Sequence, residues 1–212
     1  MSSFLPIRIE LKEAQRTIER MIKSEIINEF DKKVRGERSA IVRDLKEFTK
    51  KVLMEQPEIM SLRNGSLRAD FGIPEEIDPV PEIIDAIVNS IDTEWSFAGG
   101  KSASIAGLKV YVQPTTFANL FGLSVANHKT KKGANIPWLE WLLTAGDKIL
   151  VTEYHVEHKA GTGRSGLGHM KSKNTFRVNP SFSGTVDNNF ITRAFQGKED
   201  QLGRIIKRRI AG

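Results

Sequence analysis

The residues able to do chemistry are few and scattered. The 212-residue chain has no cysteine, which removes disulfides, thiol catalysis and zinc sites built on thiolates, and fits a reducing compartment. Its histidines are His128, His155, His158 and His169. His155 and His158 fall in or just after an expected strand, where three-residue spacing places them on opposite faces. A metal there would need a bend and carboxylates from elsewhere, and Glu153 and Glu157 alternate with exposed positions, so none is expected. Gly99-Gly100-Lys101-Ser102 has the closing residues of a phosphate-binding loop. The glycine needed five positions before Gly100 is Trp95, and the segment follows a helix where that loop follows a strand. Gly163-Arg164-Ser165-Gly166 lacks the spacing of a nucleophile elbow. Glu75 and Glu76 precede a helix, whose N-terminus favours negative charge without any acid–base role. No catalytic residue, metal or cofactor is expected, and the chain does not read as an enzyme.

Positive charge is the stronger signal. The densest cluster is Arg204-Ile205-Ile206-Lys207-Arg208-Arg209, with Ile205, Ile206 and Ile210 spaced for an amphipathic helix. Two readings stand. The cations complement the C-terminal dipole of a docked helix, or they contact nucleic-acid phosphates. No aromatics interleave with them, so DNA contact would be non-specific. Residues 1–100 carry 15 Lys and Arg against 19 Asp and Glu, a net −4, and residues 101–212 carry 17 against 7, a net +10. That asymmetry suits head-to-tail contact between copies or one face near a polyanion, and is also compatible with a merely solvated surface.

The elements that would position these residues follow from periodicity. Leu11, Ala14, Ile18, Met21, Ile22, Ile26, Phe30 and Val34 recur at helical spacing over 7–34, and Ile41, Leu45, Phe48 and Val52 resume the stripe after Gly36. Two helices, or one bent near Gly36, are expected, with a narrow apolar stripe that must pack on this chain's core or on a neighbouring subunit. Asn64-Gly65 marks a turn, and 67–73 alternates like a short strand. Asp78-Pro79 opens a helix whose buried face is Val80, Ile83, Ile84, Ile87, Val88 and Ile91, running out near Trp95. Strands are expected at 108–112, 148–157 and 174–178, short helices at 115–123 and 136–143, and a helical C-terminus from Asp187 interrupted by Gly197 and Gly203. Trp95, Trp138 and Trp141 are either core residues or interface anchors.

This order does not alternate strand and helix. The expected fold is α+β: a small, mostly antiparallel sheet with a long N-terminal helix or helix pair and a C-terminal helix. An N-terminal helical region, 1–57, precedes an α+β core, 58–212, with extended loops at 96–107, 127–135 and 159–173. With 39% apolar residues the chain can bury a core, and no apolar run approaches the ~20 residues of a membrane span. The N-terminus does not read as a secretory signal.

Three segments resemble the neck or tail-completion proteins of tailed bacteriophages. Leu62-Arg63-Asn64-Gly65-Ser66-Leu67-Arg68 is similar to that family's T-G-x-L-R turn, with Asn64 where Thr is usual. Gly163 to Met170 is similar to its loop ahead of a strand. Pro180-Ser181-Phe182-Ser183-Gly184-Thr185, followed by Asn188-Asn189-Phe190-Ile191-Thr192-Arg193-Ala194-Phe195, is similar to its final strand exit and helix opening. The resemblance implies a structural virion protein, assembled in the host cytoplasm into a homo-oligomeric ring, expected to be sixfold, between connector and tail proteins at the head–tail junction. It implies a basic channel wall crossed by DNA. Candidates for that wall or for the interface are Arg164, His169, Lys171 and Lys173 in the 159–173 loop, and Arg204, Lys207, Arg208 and Arg209 on the terminal helix. Replacing Arg208 and Arg209 would then weaken DNA retention without unfolding the subunit. The alternative is a small basic DNA-binding protein acting outside any virion.

Overall fold

A computed structural model describes residues 15–96, 107–114, 116–130 and 133–211. The Gly99–Ser102 motif, most of the 96–107 loop, the apolar positions before residue 15, and Lys131 and Lys132 lie outside the described residues. The fold is mixed helix and strand as expected, with a long N-terminal helix, small antiparallel strand pairs and a C-terminal helix.

Helix α1, Gln15–Met54, runs unbroken through Gly36. One exposed glycine costs about 1 kcal/mol relative to alanine, too little to interrupt so long a cooperative ladder. Its second half packs Val34, Ile41, Leu45, Val52 and Leu53 inward. Pro57 opens α2 (Pro57–Asn64), and α3 (Ser66–Phe71) follows after a single glycine. Residues 67–73 therefore do not form the expected strand. Leu67, Arg68, Ala69 and Phe71 are all buried, so the alternation of apolar and polar residues there did not mark one buried and one exposed face. Helix α4 (Val80–Asn89) buries Val80, Ile83, Ile84 and Ile87, and the Asp78 carboxylate accepts the Val80 N–H at 3.1 Å.

The chain turns to strand earlier than the apolar face suggested. The Ser90 hydroxyl closes α4 on the Ile87 carbonyl, and β1 (Asp92–Ser96) pairs antiparallel with β2 (Gly107–Tyr111). Arg38 of α1 pins this hairpin, reaching Asp92 Oδ1 at 3.0 Å and the Thr93 carbonyl at 2.8 Å. Helix α5 (Ala118–Phe121) and a 3-10 turn at Ser124–Ala126 lead to β3 (His128–Lys129), paired with β4 (Asn135–Ile136), and then α6 (Trp138–Thr144). Trp138 is core, and its indole N–H donates to the Val125 carbonyl at 2.7 Å. Trp141 is half-buried against Phe176.

The 127–135 and 159–173 segments, expected as loops, both enter strand pairs. In the second, β5 (Tyr154–His158) pairs with β6 (Gly168–Ser172). The long strand expected from 148 is cut short because Glu153 and Lys173 take φ of 67° and 88° at the base of that hairpin. The expected strand at 174–178 is a single bridge between Phe176 and Val151. Helix α7 (Phe190–Phe195) and α8 (Glu199–Ala211) are separated at Gly197, where φ is +70°, and Gly203 stays inside α8. Among the described residues the three strand pairs remain separate. Among the described residues no helix is long and apolar enough to cross a membrane.

One large core joins α1 to α2, α3, α4, α6 and α7. A smaller one gathers Ile41, Leu45 and Ile91 under Leu202, Ile205, Ile206 and Ile210 of α8. Polar contacts lock α8 there. Arg209 donates to both carboxylate oxygens of buried Asp44, at 2.8 and 2.9 Å, and Arg208 adds a bond at 3.1 Å. The Arg209 bond is the largest influence holding the Asp44 carboxyl below its ordinary value, against the opposing effect of burial, with Arg208 helping.

Two outcomes follow from this clamp. Arg208→Ala with Arg209→Ala leaves the buried carboxylate only the exposed Arg43, 3.7 Å away, whereas Asp44→Ala frees two arginines that reach water. Urea unfolding should therefore show a lower midpoint for the arginine pair than for Asp44→Ala. Because the native carboxyl titrates below its ordinary 3.8, its stabilisation is complete above that pH and is lost as pH falls through the lower native value. Hydrogen exchange should show protection of α8 dropping in that acid range, and Asp44→Asn should abolish the dependence.

Candidate functional site

The sharp turn after α2 is the centre of the molecule's polar architecture. The Ser61 hydroxyl accepts the Leu67 N–H at 3.0 Å, and the Gly65 N–H returns to the Ser61 carbonyl. This close return drives Arg68 inward. Its guanidinium is buried and faces carbonyls rather than an acid. It donates to Arg63 at 3.0 Å and Leu62 at 3.4 Å on the end of α2, and to Glu75 at 2.8 Å, Ile77 at 2.7 Å and Pro74 on the following loop. One planar fork of donors thus satisfies the open carbonyls of a helix end and fixes the 74–77 loop.

The 163–168 segment lies on that loop. The Glu75 N–H donates to the Arg164 carbonyl at 3.2 Å, and Ser165 is buried. Gly163 has φ +72°, and a Cβ there would stand 1.8 Å from the Gly168 carbonyl oxygen. Only glycine closes this turn. Between the two loops is an open cleft of about 630 Å³ whose lining includes Arg63, Arg68, Glu75, Glu76, Asp78 and Ser165. Arg63 faces Asp78 across it at 3.2 Å. On the other side of α2, buried Glu58 takes Arg193 of α7 at 2.6 Å. Asn189 and Thr192 form a reciprocal capping box that starts α7.

No nucleophile is activated in this region. Thr162, His169 and Glu157 fall in a triad-like row, with His169 Nδ1 at 3.2 Å from the Thr162 hydroxyl and Nε2 at 3.4 Å from Glu157. The hydroxyl proton, however, is committed to the Lys159 carbonyl at 2.7 Å. His169 therefore donates to the threonine oxygen instead of taking its proton, the reverse of base catalysis. His158 pairs with Asp70 at 2.7 Å, and burial raises the Asp70 carboxyl while His158 opposes the rise. His128 is lowered first by burial and then by Arg164. Among the described residues no three His, Cys, Asp or Glu side chains gather to hold a metal.

The expected cations separate into two groups. Arg164, His169, Lys171 and Lys173 ride the β5–β6 hairpin, which packs on α3; Arg204, Lys207, Arg208 and Arg209 ride α8, which packs on α1. Several are engaged at home. Arg164 donates to the Lys129 carbonyl at 3.2 Å, and Lys171 and His169 converge on Glu157. Arg208 and Arg209 hold Asp44, so their joint replacement perturbs the fold and cannot isolate a DNA contact. Lys173, Arg204 and Lys207 are exposed and form no ion pair among the described residues.

No family model, curated protein or solved structure matches the chain.

Sequence reasoning quoted Arg68 only within the 62–68 turn and gave no role to Arg68, Glu58 or Asp44. Asp44 sits beside Leu45 on the packed face of α1, and Glu58 sits beside Ile59 at the start of α2. A charge at the edge of an apolar face was the available signal. Arg68→Met should leave several carbonyls without donors and cost about 3 kcal/mol in urea unfolding. Gly163→Ala should loosen the 163–168 segment, seen as faster amide exchange there with the remaining core protection retained.

Proposed function

We propose that this chain is a structural subunit of a tailed-phage neck, a tail-completion protein that assembles as a ring, expected to be sixfold, between connector and tail. The observation carrying this reading is the convergence of the three segments that resemble the family. The 62–68 turn ends α2. The 163–168 loop rests on the strand of chain that Arg68 of that turn holds in place. The 188–195 segment locks to α2 through Arg193 and Glu58. The first two segments thus meet around the 74–77 loop and the third reaches α2 on its other side, which supports reading them as parts of one framework built on α2. The mechanism is mechanical: the subunit joins neighbours and passes DNA, with no chemical step.

In this reading DNA meets the cations left free by the fold, Lys173, Arg204 and Lys207, while Arg208 and Arg209 serve the subunit's own packing. Those free cations also favour the second reading, a small basic protein that binds DNA non-specifically on its own. Light scattering after size exclusion, over a range of concentration and salt, separates the two. A discrete ring-sized species is expected. A monomer at every concentration that binds duplex DNA, with affinity falling steeply as salt rises, would establish the second reading instead. Lys173→Ala with Arg204→Ala and Lys207→Ala should lower DNA retention in assembled particles while leaving the subunit's unfolding midpoint unchanged.

A further inference from the structure

The first half of α1 carries exposed apolar side chains. Met21, Ile22 and Ile26 are 61%, 55% and 63% exposed. Ile18, Ile22 and Ile26 recur at intervals of four, which makes them an i±4n ridge that winds around the helix. A coiled-coil seam from Ile18 and Ile22 would continue through Glu25 and Glu29, placing acids where that packing needs apolar side chains. The ridge therefore suits a groove crossed obliquely and not a helix alongside.

Such a groove lies farther along the same helix. A depression of about 430 Å³ between α1 and the β1–β2 hairpin has Val34 and Ile41 at its base. Arg35 and Arg38 stand on the α1 side, and Asp92, Glu94 and Tyr111 on the hairpin side. Arg38 and the Tyr111 hydroxyl hold the hairpin wall, to Asp92 at 3.0 Å and to Glu94 at 2.7 Å respectively. The charges match on one flank of the ridge. Glu25 and Glu29 border it there, opposite in sign to Arg35 and Arg38, which also hold Asp31 and Asp92. Glu19 and Lys23 lie on the other flank and offset each other. Ile26 and Val34 are eight residues apart on one continuous helix, about 12 Å along its axis. The chain cannot fold its own ridge into its own groove.

We propose that the apolar ridge of α1 in one copy docks in the α1–hairpin groove of a second copy. The contact is heterologous, so every copy offers one ridge and one groove, and the series closes when the rotation between neighbours divides a full turn. This rests on the reading of the chain as a ring subunit and identifies which surfaces join.

The native absence of cysteine makes the test direct. Ile22→Cys and Tyr111→Cys are made singly, mixed and oxidised, and also combined in one chain. The expected products are a dimer linking the two different variants in the mixture, and a ladder of linked copies from the doubly substituted chain. Linkage mainly between two Ile22→Cys copies, or a bond within one doubly substituted chain, would overturn the proposal. In solution, Ile26→Asp should weaken self-association about 30-fold or more, the effect of a hot-spot residue, while circular dichroism and unfolding stay unchanged. Rings that persist in Ile26→Asp would refute this interface and leave the neck reading standing. A wild-type chain that is monomeric at all concentrations would refute both.

Discussion

A buried guanidinium held by backbone carbonyls organises this protein. Arg68 carries a charge that would be costly to remove from water on its own. The cost is offset by aligned carbonyl dipoles from two stretches of chain. Charge-assisted bonds to neutral acceptors are strong and leave no second charge to desolvate. The arrangement ties the end of α2 to the 74–77 loop, and that loop in turn seats the 163–168 segment. The β5–β6 hairpin extends from that seat, so the placement of the hairpin cations depends on a largely buried residue.

The other polar anchors pair opposite charges and act at longer range in sequence. Glu58 with Arg193, Asp44 with Arg208 and Arg209, and Asp92 with Arg38 each join parts of the chain distant in sequence. Small strand pairs and short helices bury too little apolar surface individually to fix their mutual orientation. Ion pairs at their contacts supply direction that apolar packing lacks. The basic character of the C-terminal half is therefore partly architectural. Cations that look alike in sequence divide into those spent on the fold and those left to face a partner.

Much of the α+β plan was legible. The stripes of α1 and α4, the Asn64-Gly65 turn, the α6 segment and the break at Gly197 are local signals, and local periodicity reports local structure. The expected strand at 67–73 was not borne out because Arg68, a polar residue of the alternation, is buried on carbonyls and not turned to solvent. The expected strand from 148 was cut at Glu153, whose positive φ depends on the return of the chain at Lys173. No neighbour-based rule anticipates that contact.

The sequence alone established the helical stripes, the charge asymmetry, the absence of thiol chemistry and the inventory of basic residues. Each depends on residue type or on spacing within a few turns. Only the tertiary structure decided which charges are satisfied internally. Asp44 and Arg209 lie 165 positions apart, and Glu58 and Arg193 lie 135 apart, so their pairing exists only once the core has brought α8 and α7 onto the N-terminal helices. The uncovered ridge on α1 follows the same rule. Its apolar spacing is written in the chain, but its exposure is a property of where the rest of the body ends.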